Sequence, residues 1–274
     1  MALAPLVLMS ALLHALWNAL LKKASDIEAA SGGILAISFL ATAAICPFLP
    51  GRAFPSGTSL AWGLGAGAFE GLYFLALARA LRTSPLGWSY TWMRGGSLLL
   101  VWPVSVLLLG ESLRLSSALA VGTVGAGLAF MGLAPGRGAG RGSLAWAASV
   151  GAAIAGYTLC YKFSLARGAQ AIPLYATSMA VSLPIQILAR GFPRPDFVSS
   201  QRALVLGAGL LCTASFLLYL EALALGGAGL VATLRNTSVV FAVVFSRALG
   251  ERPTFRQWAG ACLVAAGAAG LAWP

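Results

Sequence analysis

Charged side chains are scarce in this chain, and acidic ones are scarcest. Charged residues make up 9% of the 274 residues, with 7 aspartates and glutamates against 18 lysines and arginines. A soluble domain carries about 25% charged residues. Most of this chain therefore cannot face water, and the composition excludes an ordinary soluble domain.

Residues suited to catalysis or metal binding are equally few. His14 is the only histidine and no aspartate lies inside an apolar run, so no Ser-His-Asp arrangement is available. The four cysteines, Cys46, Cys160, Cys212 and Cys262, lie singly in apolar runs and form no CxxC pair. No Walker A sequence, dinucleotide-binding glycine motif or zinc-ligand spacing occurs. We therefore predict a protein that is not an enzyme, with no metal site and no cofactor.

The positive charge does not point to nucleic acid. The net charge is +11, which in a soluble protein would suggest a nucleic-acid partner. Here the basic residues are scattered singly between apolar runs, with no basic helix face and no platform of alternating aromatic and basic residues. We predict no nucleic-acid partner and expect the charge to lie in loops that face anionic lipid.

Long apolar runs are what the sequence has in abundance. Apolar residues make up 59% of the chain, and a membrane-spanning helix needs about 20 of them in succession. Ten runs can be marked, at roughly 3–21, 32–49, 60–80, 86–109, 116–133, 144–165, 172–189, 203–225, 229–248 and 257–273. We predict an all-α membrane protein with ten transmembrane helices.

One pattern occurs twice along the chain. An apolar run carrying Arg94, then Leu109-Gly110-Glu111 and a run rich in glycine and alanine, recurs with Arg235 and Leu249-Gly250-Glu251. At a shift of 140 residues, Trp17, Asn18 and Lys22 align with Tyr157, Thr158 and Lys162. The chain is therefore interpreted as two copies of one five-helix unit.

The two copies divide the chain near its middle. We predict a first repeat over 1–135, a glycine-rich linker over 136–142 and a second repeat over 143–274. Because each copy holds an odd number of spans, the second would enter the membrane in the opposite direction. Inverted repeats are a transporter architecture in which the binding site lies at the repeat interface.

Two ionisable residues lie deep inside predicted spans. Glu70 is about ten residues from either end of the third span, hence roughly 15 Å from each interface. We predict either a role in proton coupling or a structural pairing with Arg94, and the sequence leaves both open. His14 lies in the middle of the first span, where it would either relay protons or pack as a hydrogen-bonded side chain.

The two repeated arginines are the main candidates for cargo binding. Arg94 and Arg235 lie about two turns inside their spans, roughly 10 Å deep. Each alone could snorkel to the interface, but their recurrence favours a shared cavity. A guanidinium binds a carboxylate or phosphate through two parallel hydrogen bonds. The other predicted substrate-binding residues are the aromatic or polar side chains Tyr73, Tyr90, Trp17, Asn18 and Tyr157.

Local patterns also predict helix ends and helix contacts. Each Leu-Gly-Glu segment should end a helix at its glycine, with the glutamate near the positive end of the next helix. Thr254 and Gln257 have the spacing of a capping box. Close-packing faces with small residues four apart are predicted along three spans, at Gly63 and Gly67, at Ala118, Gly122 and Ala126, and at Ala261, Ala265 and Ala269.

These residues resemble the EamA type of the drug/metabolite transporter superfamily. The segments that carry the resemblance are Leu13-His-Ala-Leu-Trp-Asn-Ala-Leu-Leu-Lys22, Tyr73-Phe-Leu-Ala-Leu-Ala-Arg79, Leu234-Arg-Asn-Thr-Ser-Val-Val240 and Leu249-Gly-Glu251. The resemblance implies two inverted five-helix repeats, the cell inner membrane, and movement of small metabolites without ATP. It also implies a central cavity lined by spans one, three, four, six, eight and nine.

One segment departs from the pattern of that family. Relatives often carry Tyr-Pro-Leu-Ala-Arg-Gly in the fourth span, where this chain has Tyr90-Thr-Trp-Met-Arg-Gly95. The arginine is kept but the proline is absent. A helix break at this point of the fourth span is therefore in doubt.

The sequence as a whole predicts a multi-pass secondary transporter, with export as a candidate direction. The expected cargo is a small metabolite that bears a carboxylate or is amphipathic, moved by proton coupling or by exchange. The alternatives are a membrane-embedded enzyme that modifies lipid and a lipid translocator. We expect the lipid bilayer and the metabolite as partners and a monomer as the simplest state. The sequence leaves the identity of the cargo, the direction and the coupling ion open.

The orientation of the termini is predicted differently by two patterns. Even-numbered loops carry Arg52, Arg114, Lys162 and Arg167, whereas odd-numbered loops carry Lys22, Lys23, Arg79, Arg82, Arg137, Arg141, Arg190, Arg194, Arg202, Arg247, Arg252 and Arg256. Positive charge favours the cytoplasmic side, so this distribution would place both termini outside. The family resemblance implies cytoplasmic termini, which is the orientation we expect.

Overall fold

The structure, a computed structural model, describes residues 3–112, 115–132, 141–191 and 195–272. These residues form α-helices and one short 3₁₀ helix at Cys46–Phe48, with no strand among them. The α-helices are α1 (Leu3–Lys23), α2 (Ile27–Ile45), α3 (Gly57–Thr83), α4 (Leu86–Leu109), α5 (Leu115–Gly132), α6 (Arg141–Leu165), α7 (Ala171–Arg190), α8 (Pro195–Leu225), α9 (Ala228–Arg235), α10 (Ser238–Ala248) and α11 (Phe255–Ala272). The prediction of an all-α protein is confirmed.

Nine segments of the described chain are long and apolar enough to cross a membrane. They are α1 to α8, with Ala228–Ala248 as a single span that contains both α9 and α10. The tenth predicted span corresponds to α11, whose first turn holds the polar residues Arg256 and Gln257, and which is not among the nine. These nine segments support the predicted multi-pass architecture, while the count of ten spans stays a prediction.

The helix ends follow from local chemistry. Asp26 accepts hydrogen bonds from the backbone N–H groups of Glu28 and Ala29, so α2 starts five residues before the predicted 32. The capping box of α11 is confirmed. Thr254 N donates to Gln257 Oε1 at 2.7 Å, and Gln257 N donates to Thr254 Oγ1 at 3.3 Å.

The two Leu-Gly-Glu turns behave differently from the sequence prediction. Gly110 has a φ of 65° and ends α4 in the left-handed conformation, as expected. The glutamates, however, do not cap the helices that follow them. Glu111 accepts hydrogen bonds from the first amides of α9, and Glu251 accepts from Leu86 at the start of α4. Each glutamate therefore caps a helix of the opposite half, a contact that no local pattern encodes.

Helix packing pairs the two halves of the chain. The major contacts join α3 to α6 and α1 to α8, then α3 to α7 and α2 to α8, then α4 to α6 and α1 to α10, while α5 packs against α11. Exchanging the two predicted repeats turns the contact α3–α6 into α8–α1, α3–α7 into α8–α2 and α4–α6 into α10–α1. It turns the contact between α5 and α11 into itself. The contacts agree with a repeat, although the inverted arrangement remains a prediction.

The predicted small-residue face of α5 and α11 is wrong in register. Gly122 and Ala126 are exposed on α5, and Ala265 is exposed on α11. The helices instead meet at positions three and four apart, where a Cβ on Gly127 would lie 2.8 Å from the backbone oxygen of Gly260. A strict spacing of four drifts around the helix, because 3.6 residues complete a turn.

A break interrupts the span that carries Arg235. α9 ends at Arg235 and α10 begins at Ser238, with a turn at Asn236 and Thr237. The equivalent span of the first half, α4, is continuous through Arg94. Most of the predicted linker, residues 136–140, lies outside the described residues, whereas residues 141 and 142 form the start of α6.

Candidate functional site

A cluster of polar side chains surrounds His14, near the middle of α1. The Nδ1 atom of His14 accepts hydrogen bonds from Trp17 Nε1 at 3.3 Å and from Arg235 Nη2 at 3.0 Å. Its Nε2 atom lies 3.4 Å from the hydroxyl of Tyr73. Because both partners of Nδ1 are obligatory donors, Nδ1 carries no proton. The imidazole is neutral, and its Nε2–H donates to Tyr73.

The backbone around His14 positions two more predicted residues. The carbonyl oxygen of His14 accepts hydrogen bonds from Asn18 Nδ2 at 2.8 Å and from the Tyr90 hydroxyl at 3.1 Å. Tyr90 belongs to α4, so this bond ties the first span directly to the helix that carries Arg94. The amide oxygen of Asn18, Oδ1, is buried and has no hydrogen-bond partner.

Arg235 is held by aromatic rings as well as by His14. Its Cζ atom lies 3.7 Å from the centre of the Tyr219 ring and 4.9 Å from that of Phe216, both on α8. A cation over a ring face is attracted by the ring quadrupole. The Tyr219 hydroxyl is 2.7 Å from Thr158 Oγ1, which fixes the ring. Arg235 is 1% exposed, and its Nε and Nη1 atoms have no hydrogen-bond partner.

Arg94 lines a narrow cavity beside this cluster. The side chains that line it leave no room for a water molecule in this conformation. The cavity is lined by the polar residues His14, Asn18, Tyr73, Tyr90 and Arg94 and by the apolar residues Leu77, Met93, Val150 and Ile154. Arg94 is 3% exposed, and its Nη2 atom has no hydrogen-bond partner. The lining therefore contains both polar or cationic side chains and apolar ones.

Neither arginine has a carboxylate partner in the described part of the chain. The ion pairs there are Lys22–Glu251, Arg82–Glu28 and Arg190–Glu28. Burying an ion without a counter-charge costs roughly several kcal/mol. Arg235 bonds His14, and Arg94 lines the same cavity as His14, so an anion bound beside His14 would be stabilised by positive charge.

Trp17 and Tyr157 lie at the edge of the cluster. The Trp17 indole donates to His14 and stacks on Phe74, with ring centres 5.8 Å apart. Tyr157 of α6 contacts the Tyr73 ring edge-on at 5.6 Å, and its buried hydroxyl has no partner. The structure thus brings the seven predicted substrate-binding residues to one region, with Trp17 as a support for His14.

Glu70 belongs to a separate polar cluster. Its Oε2 atom accepts a hydrogen bond from Ser178 of α7, whose Oγ lies 2.7 Å from the Tyr161 hydroxyl. Glu70 is fully buried, and its Oε1 atom has no partner. The described residues show no ion pair between Glu70 and Arg94. The Tyr161 ring lies 5.9 Å from that of Tyr157, so aromatic rings connect this cluster to the arginine site.

Sequence reasoning missed four residues of these clusters. Phe216 and Tyr219 were not among the predicted substrate-binding residues, although their spacing of three places them on one face of α8. Tyr161 is four residues from Tyr157 and could have been found by the same rule. Ser178 carries no signal, because a serine in an apolar helix is common and its partner is 108 residues away.

Comparison with known proteins relates the second half of the chain to a transporter family. Residues 141–273 match the sequence profile of the EamA-like transporter family. A solved structure described only as a crystal structure of a protein superposes with a TM-score of 0.73, at 19% identity, over 97% of this chain and 95% of that one. At that identity the likeness shows the fold alone. None of the curated proteins compared with the chain matches it.

Proposed function

Because residues 141–273 match the EamA-like transporter family, of the drug/metabolite transporter superfamily, we propose that this protein is a secondary transporter of a small anionic metabolite. The family transports small molecules, and nine apolar segments make the chain a multi-pass membrane protein. The cell inner membrane is the proposed location, and export is the proposed direction.

The pair of buried arginines carries this proposal. Arg94 and Arg235 come from α4 and α9, meet around His14, and retain guanidinium nitrogens without hydrogen-bond partners. A carboxylate or phosphate would accept from both, because a guanidinium presents paired N–H groups in one plane. The cargo therefore carries at least one anionic group.

The apolar residues of the cavity lining suggest the rest of the cargo. Leu77, Met93, Val150 and Ile154 are apolar, so they would cover a hydrocarbon or aromatic body. A small amphipathic carboxylate matches this mixed lining. Because the space between the atoms is narrow, the cavity must widen in another conformation before the cargo can enter.

The energy for transport would come from protons or from exchange of one cargo for another. The chain carries no Walker A sequence, so an ion or metabolite gradient is the proposed source. Glu70 and His14 are the candidate proton carriers, since both are ionisable and fully buried or nearly so. The alternatives, a lipid-modifying enzyme and a lipid translocator, have no supporting cluster of catalytic side chains and are not favoured by the family match.

A binding test with matched ligands addresses the anion site. We expect benzoate to raise the thermal unfolding midpoint of the purified protein and benzylamine, which has a similar ring and opposite charge, to leave it unchanged. Arg94→Lys and Arg235→Lys should each weaken benzoate binding about 10-fold or more, because lysine lacks the planar fork. In proteoliposomes the same variants should slow benzoate counterflow. Equal stabilisation by benzylamine, or full binding in both lysine variants, would show that the arginines do not hold the cargo.

A further inference from the structure

The hydrogen bond that Arg235 donates to Nδ1 of His14 keeps that nitrogen unprotonated. Nδ1 of His14 accepts a hydrogen bond from the Arg235 side chain at 3.0 Å. Protonation of Nδ1 would place a donor against two donors, Arg235 and Trp17, and a second cation beside the guanidinium. His14 can therefore take a proton at Nδ1 only when both Arg235 and the Trp17 indole turn away.

An anionic cargo supplies the acceptor that Arg235 would need after turning away. Once its N–H groups donate to the anion and the Trp17 indole has also moved away, Nδ1 can bind a proton from water in an open conformation. The imidazolium formed would also attract the anion, where the neutral ring does not. Resting on the proposed transport of an anion, we propose that His14 binds one proton together with each anion held by Arg94 and Arg235.

Among the titratable groups in this cluster, His14 is the one that we expect to change charge when the anion binds. The titratable groups that face it are Tyr73 from α3, Tyr90 and Arg94 from α4, and Arg235 from α9. From α8 it meets the Phe216 ring at 5.7 Å, and within the described chain α2, α6 and α10 place no charged group against it. Glu70 accepts a hydrogen bond from Ser178 of α7, and no hydrogen bond between Glu70 and His14 is seen in the described part of the chain.

Binding measured as a function of pH tests the linkage. For the full-length protein, we expect the affinity for benzoate to rise as the pH falls from about 8 to about 6, the range in which histidine changes charge. One linked proton limits the change to about 10-fold per pH unit. His14→Gln keeps a neutral acceptor for Arg235, so it should bind benzoate with no dependence on pH. Glu221→Gln, which changes an exposed carboxylate of α8, is the matched control and should keep the wild-type dependence.

A second measurement needs no variant. Benzoate added to weakly buffered wild-type protein should take up about one proton per anion bound. Benzoate binding with no proton uptake, or an unchanged pH dependence in His14→Gln, overturns the linkage while the anion site stands. Failure of benzoate, benzenesulfonate and inorganic phosphate to bind at any pH overturns the anion site itself, and the linkage with it.

A separate observation concerns the two ends of α1. The first end cluster consists of Lys22, Glu251 and Leu86: Lys22 Nζ lies 3.6 Å from Glu251, whose two oxygens accept from Leu86 N at 2.9 and 3.0 Å. Lys22 also donates to the carbonyl oxygens of Leu81 and Ser84 at the end of α3. One lysine and one glutamate thus close the gap between α1, α3, α4 and the turn after α10.

The second end cluster consists of Lys162, Glu111 and Ala228. Lys162 Nζ donates to the carbonyl oxygens of Leu223 and Gly226 at the end of α8, at 2.8 and 2.7 Å. Glu111 accepts from Ala228 N and, at 3.1 Å, from Gly229 N. Each lysine therefore meets the negative end of one helix, and each glutamate meets the positive end of the next.

The two end clusters lie on opposite sides of the arginine site. Gly226 is next to Leu3 at the start of α1, since a Cβ on Gly226 would lie 2.9 Å from Leu3 Cδ2. Lys22 is at the other end of α1, roughly 30 Å away at 1.5 Å per residue. His14 lies between them. We propose that the two end clusters are the two gates of the transporter, of which one opens while the other stays closed.

Cysteine accessibility distinguishes a gate from a structural contact. In a variant without native cysteines, Ser89→Cys lies behind the first end cluster, and Val231→Cys lies at the equivalent place behind the second; both positions are fully buried. We expect Glu251→Gln to speed labelling of Ser89→Cys by a membrane-impermeant thiol reagent about 10-fold, because an amide loses the charge that holds Lys22 and Leu86. The same change should slow labelling of Val231→Cys.

Glu111→Gln should have the reverse effect at both cysteines, and this reciprocity is what a gate requires. Faster labelling at both positions in either variant would mean general loosening, and unchanged labelling would mean that the clusters do not open; either result overturns the gates. The experiment uses no cargo, so its outcome is independent of whether benzoate binds.

Discussion

Arg94 and Arg235 are equivalent in the sequence repeat but differ in their surroundings. Arg235 bonds His14 and lies against two rings of α8, whereas Arg94 lines the cavity with an Nη2 atom that has no partner. The continuous α4 and the break after Arg235 accompany this difference. We expect an entering anion to contact Arg94 first. Arg235 would then exchange its bond to His14 for a bond to the anion.

The Tyr219 ring should affect anion binding through Arg235. A cation–ring contact contributes about 0.5–2 kcal/mol, and Tyr219 lies 3.7 Å from the guanidinium carbon. Tyr219→Leu should weaken benzoate binding by roughly 2- to 30-fold, and Tyr219→Phe by much less, because phenylalanine keeps the ring. Isothermal titration of the purified variants measures both. Equal losses in the two variants would assign the effect to the hydroxyl and its bond to Thr158.

Close contact between α3 and α7 positions the Glu70 cluster. A Cβ on Gly67 would lie 2.6 Å from Val181 Cβ and 2.7 Å from the backbone oxygen of Ser178. The packing is therefore possible only with glycine at this position, one turn before Glu70. Here the predicted GxxxG face of α3 is a real helix contact.

Gly67→Ala should destabilise the protein, whereas the nearby Gly65→Ala should not. Overpacking at a helix contact costs about 1–3 kcal/mol, while a Cβ on Gly65 meets only Cys160 Sγ at 3.5 Å. Thermal unfolding in detergent, followed by circular dichroism, should show a midpoint several degrees lower for Gly67→Ala alone. Matching midpoints for the two variants would show that α7 shifts freely to accommodate the methyl group.

The extent of the helices could be predicted from the sequence, because length and apolarity are local properties. Nine predicted spans agree with the described candidates to within a few residues. Contacts between distant residues could not be predicted. The capping of α4 by Glu251 joins residues 165 positions apart, and the break at Asn236 has no proline or glycine to mark it. The arginine site could be predicted in part, because the repeat marked both arginines, but not the rings that hold Arg235.

Two patterns predict opposite orientations of the whole molecule in the membrane. We expect cytoplasmic termini, as the family resemblance implies, against the count of loop charges. Some of those charges have partners within the protein: Arg82 and Arg190 pair with Glu28, and Arg79 lies 4.7 Å from the centre of the Trp146 ring. A fluorescent protein fused at Pro274 should fluoresce, and an alkaline phosphatase fused there should be inactive. The opposite pair of results would place the termini outside.

The break at Asn236 and Thr237 has a mechanical consequence for the molecule. A continuous helix moves as a rigid rod, so a tilt at one end displaces the other. Here the span consists of two helices. The first amides of α9 donate to Glu111, and α10 leads to the turn that contains Glu251, which accepts from Leu86. A hinge between α9 and α10 allows either helix to tilt while the other stays in place. Opening of one end cluster while the other stays closed requires such independent motion. We expect amides 236–240 to exchange hydrogen for deuterium faster than the matching stretch of α4, and equal rates would show that the divided span still moves as one piece.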